Sequence, residues 1–197
     1  MLEPLGVAIH ALRLGDVFPG MDVGVFGAGP IGLLTIQLAK LSGAARIFAT
    51  DKLNHRLEIA RECGATDTLL ADGNEAEKIL SASNGRGLDV NFEAAGDDGS
   101  AVESAVITSK RGATVVVIGI PSIDETRFTA SASRRKGLTI KISRRMINTY
   151  PTAIRMVSNQ MVDLSPLITH QYPMQEFKKA FKAAVNRQGG KVFINFI

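Results

Sequence analysis

The chain has 197 residues, of which 45% are hydrophobic and 21% charged, and its formal net charge is +4. This composition predicts a folded chain with a buried core, and the positive excess is too small and too scattered to indicate a nucleic-acid-binding protein. The single cysteine, Cys63, excludes an internal disulfide. The sequence has no apolar run long enough to cross a bilayer and no basic leader before an apolar core. We therefore expect a cytoplasmic protein without a membrane partner.

Most of the chain alternates predicted strands and helices. After a first helix over 7–14, strands are predicted at 22–26, 45–51, 66–70, 88–96, 113–119 and 138–142, and helices at 30–41, 53–64, 74–83 and 100–109. The unbroken apolar run at 113–119 is typical of a strand buried on both faces of a parallel sheet. The alternation predicts an α/β fold, a doubly wound parallel-sheet Rossmann domain.

The pattern changes near the end of the sixth predicted strand. A helix is predicted from Pro151, an extended segment over 166–173, a helix around Phe177–Val185 and a final strand over 191–197. We therefore divide the chain into a Rossmann domain of residues 1–143, which includes the first helix, and a C-terminal α/β segment of residues 144–197. The basic run 134–136 lies in a serine-rich stretch and is interpreted as a solvated loop.

A glycine motif separates the first predicted strand of the sheet from the helix that opens at Pro30. In G-x-G-x-x-G, Gly27 allows the tight turn, Gly29 lets a pyrophosphate approach the backbone, and Gly32 lets the helix pack closely on the sheet. The N–H groups and dipole of the helix N-terminus then favour phosphate. The motif predicts dinucleotide binding. A methyltransferase has a similar loop, but Pro30 and the strand at 113–119 argue against that alternative.

An acidic residue ends the next strand at the spacing that this motif requires. Asp51 follows Gly32 by 19 residues, where a carboxylate accepts hydrogen bonds from the ribose hydroxyls and repels a 2′-phosphate. This favours NAD over NADP. The alternative role for Asp51 is to cap the following helix. The basic neighbours Lys52 and Arg56 weaken this prediction of NAD over NADP slightly. We place Arg56 over the adenosine end of the cofactor.

Several segments together resemble one enzyme family. They are EPLGVAIHAL, GAGPIGLL, TDKLNHRLEIARECGAT, FEAAG, VVVIGIP, INTYPTAI and PLITHQYPMQEFKKAF. In this order they resemble the zinc-dependent medium-chain dehydrogenases, and among these the sorbitol dehydrogenase-like polyol dehydrogenases. The resemblance implies a catalytic domain, absent from this sequence, whose cysteine and His–Glu pair hold zinc. It also implies that residues 144–197 belong to that domain and pack on it.

The resemblance assigns roles to individual residues. Glu3 matches a glutamate that reaches the zinc directly or through a water, although it also reads as an exposed acid at a helix start. Arg144 matches an arginine that meets substrate or bound water. Arg145 replaces the aromatic residue common in sorbitol dehydrogenases, which leaves the polyol undefined. Further cofactor contacts are implied for Ile31, Arg56, Ile118, Gly119, Ile120, Ile142 and Ser143.

The implied reaction is oxidation of a secondary alcohol or polyol, with a hydride passing to NAD⁺ and zinc present only in the intact enzyme. We expect this chain alone to be inactive because it lacks the other zinc ligands. Two alternatives stay open: a non-catalytic NAD(H)-binding module, and a threonine or alcohol dehydrogenase of the same family. Phe177, Phe181 and the final strand are expected to leave an apolar patch exposed, which predicts a homo-oligomer.

Overall fold

The computed structural model describes residues 1–96 and 98–196. Its strands are β1 (Asp22–Phe26), β2 (Arg46–Asp51), β3 (Asp67–Leu70), β4 (Leu88–Glu93), β5 (Ser109–Val117), β6 (Thr139–Ile142), β7 (Ile168–Pro173) and β8 (Lys191–Asn195). Its α-helices are α1 (Leu2–Gly15), α2 (Pro30–Leu41), α3 (Asn54–Cys63), α4 (Glu75–Ala82), α5 (Ser100–Thr108), α6 (Ala130–Lys136), α7 (Tyr150–Ser158) and α8 (Phe177–Val185).

Six strands form one parallel sheet in the order β3-β2-β1-β4-β5-β6. The order reverses beside β1, so its carboxyl end opens at a topological switch point, where ligands bind in doubly wound folds. Every residue of β1 is buried, as the central strand of a sheet covered on both faces requires. The predicted doubly wound α/β fold is confirmed.

Two apolar clusters hold helices to the two faces of the sheet. One joins Leu5 of α1 and Leu34 of α2 to Val25 of β1, and all three side chains are fully buried. The other joins Ile79 of α4 and Val102 of α5 to Phe26 on the opposite face. The first cluster fixes α2 relative to the strands, because the helix and the strands share its contacts.

The C-terminal segment forms a second, small layer. β7 and β8 pair in parallel, and α8 lies against them. This layer meets the sheet domain through α3, where Leu167 is fully buried and the Ile59 side chain approaches Gly190. Three apolar side chains of α8 stay exposed: Phe177, Phe181 and Val185.

The structure corrects several sequence-based expectations. α1 begins at Leu2, earlier than predicted. The basic run at 134–136 is not a solvated loop but the last turn of α6, and the Lys136 ammonium donates to the backbone carbonyls of Val106 and Ile107 at 3.1 and 2.5 Å. Those carbonyls end α5, so a lysine there caps a helix C-terminus. The last strand ends at Asn195, and Ile197 lies outside the described residues.

Among the described residues, the structure contains no helix with the length and apolarity needed to cross a bilayer.

Candidate functional site

The glycine turn after β1 is shaped by two glycines that cannot carry side chains. Gly27 has a φ of 104° and donates its N–H to the Thr50 carbonyl at 2.8 Å, and a Cβ there would lie 2.7 Å from the Ala95 nitrogen. A Cβ on Gly32 would lie 1.8 Å from the Gly27 carbonyl oxygen. Both glycines therefore serve the turn and the close helix–sheet contact.

The middle glycine borders open space instead. Gly29 is the N-cap of α2 with an ordinary φ of −72°, and the nearest atom to a Cβ built on it is Arg56 Nη1 at 3.9 Å. Among the described residues, no side chain caps this helix. The start of α2 is thus open to an anion, which the free N–H groups and dipole of a helix N-terminus favour.

The Asp51 carboxylate, at the end of β2, borders the open space beside Gly29. It is buried; its Oδ2 accepts from the Ala28 N–H at 2.8 Å and its Oδ1 accepts from the Leu53 N–H at 3.0 Å. Arg56 Nη1 lies 3.9 Å from Oδ2. Since α3 begins after Leu53, Asp51 is not its N-cap residue. A carboxylate has about four acceptor positions, so both oxygens can still accept a further bond.

A cavity of about 320 Å³ lies between the glycine turn and the ends of β2 and β4. This volume lies at the small end of the range for ligand pockets. Its lining includes Gly29, Asp51 and Arg56, together with the backbone of residues 94–96. Arg187, from the turn after α8, also reaches its wall. The cavity therefore joins five predicted cofactor residues, Gly27 and Pro30 among them, to a cation from the C-terminal segment.

The residues predicted to border the nicotinamide lie at the same edge of the sheet. Val117 pairs with Ile142, so the segments that follow β5 and β6 lie side by side. The structure corrects one detail: Ile118, Gly119 and Ile120 follow β5 and are not part of it. Ile120 is 88% exposed and Ile142 71% exposed.

Ser143 is the polar group of this surface. Its N–H donates to the Val117 carbonyl at 2.8 Å, and its buried hydroxyl oxygen has no hydrogen-bond partner among the described residues. A buried hydroxyl without a partner costs free energy, so it marks a place where a ligand group would be accepted.

The two residues predicted to act on the substrate side lie on neighbouring segments. Glu3 is exposed in the first turn of α1, and Arg144 is exposed in the turn after β6. The Thr149 hydroxyl donates to the Gly6 carbonyl at 2.8 Å, which ties the segment after β6 to α1. No direct contact joins Glu3 to Arg144 within the described part of the chain. Nor do the described residues contain a group of three potential metal ligands, around Glu3 or elsewhere.

Sequence reasoning missed two acidic residues and a cation at this edge. Glu75 lines the cavity and accepts from the Ser104 hydroxyl at 2.7 Å. Glu93 is 2% exposed at the end of β4. Acids at the ends of parallel strands or the starts of helices are a usable signal, since these positions meet at one edge. Nothing local to Arg187 indicates its place, because the tertiary fold brings it there.

Comparisons with known proteins agree with this geometry. Residues 30–159 match the family model for zinc-binding dehydrogenases. L-threonine 3-dehydrogenase of Bacillus subtilis (strain 168) is 35% identical over 195 residues, which are 98% of this chain and 56% of that protein. Sorbitol dehydrogenase of Pongo abelii is 36% identical over 199 residues, which are 98% of this chain and 55% of that protein.

A solved structure adds a bound cofactor to the comparison. A protein of E. coli CFT073, named as a short chain alcohol dehydrogenase complexed with the cofactor NADH, superposes with a TM-score of 0.89 at 27% identity. The match covers 100% of this chain and 58% of that one. The chain thus spans about half the length of the proteins that it matches.

Proposed function

This chain belongs to the zinc-binding dehydrogenase family, and we propose that it is the NAD(H)-binding part of a dehydrogenase that oxidises a secondary alcohol or polyol. The observation that carries the proposal is the open space at Gly29, between the uncapped N-terminus of α2 and the Asp51 carboxylate. Gly29 has no side chain to block a pyrophosphate at the N-terminus of α2, and the Asp51 carboxylate beside it is placed to bind the adjoining ribose. The chain's residues therefore fit a dinucleotide.

In this proposal each group of the cofactor has a place. The pyrophosphate lies against Gly29, Pro30 and Ile31 at the start of α2, with Gly27 and Gly32 shaping the turn. The ribose hydroxyls donate to the free acceptor positions of Asp51, and Arg56 borders the adenosine. The cavity of about 320 Å³ takes the adenosine half. Arg187 adds a positive charge to the wall of this cavity.

The reacting end lies beyond β5 and β6. When bound, the nicotinamide supplies the hydride acceptor. Residues 118–120 and Ile142 form the surface on which its ring is placed, and the unpaired Ser143 hydroxyl is available to a polar group of the cofactor. Arg144 faces the substrate side of the same surface. These residues set the position of the ring and exclude water beneath it.

The described residues do not fit a complete zinc site. A zinc site that binds substrate uses three protein ligands and an open position, and the described chain offers no group of three. We assign no step to the metal. Glu3 has a role in a zinc site only with ligands supplied from outside the described residues, in an intact enzyme.

The C-terminal residues 144–197 are proposed to be a segment of the catalytic domain, and residues 1–143 the cofactor domain. Support comes from their separate sheet and from the exposed apolar side chains of α8, which an additional domain or a second copy would cover. We propose a homo-oligomer on the same grounds.

The identity of the alcohol has two candidates. Relatives named for sorbitol and for L-threonine match this chain at nearly the same identity, 36% and 35%. In an intact enzyme, oxidation of sorbitol, xylitol and L-threonine with NAD⁺ and zinc would separate them. NADH binding with no turnover on any of these is the outcome expected for this chain alone, and it would also be given by a non-catalytic module.

The proposal is tested by titrating NADH and NADPH into the chain and following the fluorescence of the reduced nicotinamide. The wild-type chain should bind NADH more tightly than NADPH. Asp51→Asn removes the charge and replaces one acceptor oxygen by an amide that donates, so NADH should bind about tenfold more weakly and the preference over NADPH should shrink. Glu58→Ala removes an exposed acid of α3 and is the control, with wild-type values expected. An unchanged preference in Asp51→Asn would refute the ribose assignment.

A further inference from the structure

Glu93 is a buried carboxylate whose two oxygens both accept hydrogen bonds from backbone N–H groups. Its Oε1 accepts from the Ala95 N–H at 2.8 Å and the Gly96 N–H at 2.7 Å, and its Oε2 accepts from the Gly119 N–H at 3.0 Å. No lysine or arginine forms an ion pair with it within the described ranges. Three N–H donors thus satisfy both oxygens of this carboxylate without a basic side chain.

These bonds join two loops that touch each other. A Cβ on Gly119 would lie 2.3 Å from the Gly96 nitrogen and 2.6 Å from Glu93 Oε1. A Cβ on Gly96, whose φ is +60°, would lie 2.6 Å from the Ile120 carbonyl oxygen. The loop after β4 and the loop after β5 are therefore packed backbone to backbone, with the Glu93 carboxylate between them. We call Glu93, Ala95, Gly96 and Gly119 the carboxylate clamp.

The two halves of the clamp serve different parts of the proposed cofactor site. Ala95 and Gly96 line the cavity beside the glycine turn. Gly119 stands between Ile118 and Ile120, on the surface proposed for the nicotinamide. The Glu93 side chain, which lines neither part, therefore bridges the loops that carry them, beside the main-chain bonds from Ile118 and Gly119 to the Glu93 carbonyl.

We propose that Glu93 is a positioning residue that sets the nicotinamide surface relative to the adenosine cavity. This inference rests on the proposed NAD(H)-binding function and names a residue that governs its geometry. A dinucleotide spans both parts, so its affinity depends on their spacing. ADP-ribose, which lacks the nicotinamide, depends on the cavity alone.

Glu93→Gln separates the two halves of the clamp. The amide oxygen can still accept from Ala95 and Gly96, but the amide nitrogen then faces the Gly119 N–H, donor against donor. The bond from the Gly119 N–H to the side chain, a hydrogen bond to a charged acceptor, is lost, and this N–H keeps only its longer bond to the Glu93 main-chain carbonyl at 3.2 Å. NADH should therefore bind about tenfold more weakly, while the affinity for ADP-ribose stays within about twofold of the wild type.

The experiment is calorimetric titration of NADH and of ADP-ribose into the wild-type chain, Glu93→Gln and a control. The control is Asp89→Asn, another buried carboxylate of β4, which lies at the opposite end of the strand and is bonded to Arg86 and Lys110. It should lower stability without changing the ratio of the two affinities. Glu93→Asp keeps the charge but is too short to bridge both loops, and serves if Glu93→Gln fails to fold.

The outcomes are distinguishable. A selective loss of NADH affinity in the Glu93 variants supports the inference. Equal losses for both ligands, or none for NADH, overturn it and leave Glu93 as a structural residue. If the wild-type chain binds neither ligand, the proposed function itself fails, and the inference fails with it.

Discussion

Replacing Gly29 by alanine should separate cofactor binding from folding. With a φ of −72° and only Arg56 Nη1 within 4 Å of the new methyl group, at 3.9 Å, the substitution introduces neither strain nor a clash. Reduced entropy of the unfolded chain contributes about 0.4–1 kcal/mol of stability, and alanine is a poorer N-cap than glycine by a similar amount. The two effects oppose each other, so the free energy of unfolding should change by less than about 0.5 kcal/mol.

Cofactor binding should respond strongly to the same change. The methyl group occupies the space through which a pyrophosphate would approach the N–H groups of Ile31 and Gly32. Each hydrogen bond to a charged group contributes about 1.5–3 kcal/mol, so loss of one bond raises the Kd for NADH by about tenfold to a hundredfold. Binding is lost without loss of the fold, a result that a merely structural glycine cannot give.

The assay pairs thermal unfolding with NADH titration for the wild type, Gly29→Ala and Gly32→Ala. The last variant is the matched comparison, because its Cβ would lie 1.8 Å from the Gly27 carbonyl oxygen. It should lose stability as well as binding, in the range of about 1–3 kcal/mol seen for overpacked sites. Wild-type affinity in Gly29→Ala would show that no pyrophosphate lies at the start of α2, and the reasoning from the glycine turn would be wrong.

Two further predictions concern stability and assembly. Burial raises the pKa of Asp89, but hydrogen bonds from Lys110, the Asp22 N–H and Arg86 outweigh it and hold the pKa below its usual value. The resulting stability is present above about pH 4 and is lost as the pH falls through the folded-state pKa. Asp89→Asn should therefore cost about 1–2 kcal/mol at pH 7, measured by urea unfolding, and progressively less as the pH falls below about 4. Phe181→Lys should weaken self-association at least tenfold in sedimentation, since this side chain is 63% exposed; a wild-type chain that stays monomeric would refute the oligomer.

The main sheet could be predicted because its information is local. Each strand is a short segment rich in apolar or β-branched residues, and each helix that covers the sheet begins or ends at a glycine, proline or serine that marks the boundary. α6 was missed for the opposite reason. Its seven residues carry no apolar period, and it is held by distant groups: Lys136 bonds to the end of α5, and Thr129 donates to Glu103. Contacts of this kind exist only after the sheet has formed.

The residues of the candidate site also fall into those that local sequence predicts and those that depend on contacts formed in the folded chain. Gly27, Gly29, Gly32 and Asp51 could be predicted because the motif and its spacing encode a turn whose geometry is nearly fixed. Glu93 was missed: its place at the end of a strand indicates a position at this edge of the sheet, but nothing near it in sequence indicates that it bonds to a second loop. Its role depends on Gly119, 26 residues later, coming within 3.0 Å after β4 and β5 have paired.

The buried carboxylates at the two ends of the sheet differ in the share of their hydrogen bonds that comes from basic side chains. At the amino end, Asp22 and Asp89 are bonded to the side chains of Arg46, Arg86 and Lys110. These cations are 34–50% exposed, so they can rearrange and are weakened by salt.

At the carboxyl end, Asp51 and Glu93 are held mainly by backbone N–H groups, whose positions are set by the strands themselves. Such donors do not move away when a ligand arrives, and they leave the negative charge in a fixed place. A carboxylate that must recognise ribose hydroxyls, or hold two loops at a constant spacing, benefits from this rigidity. The end of the sheet whose carboxylates are held by backbone donors is therefore suited to binding.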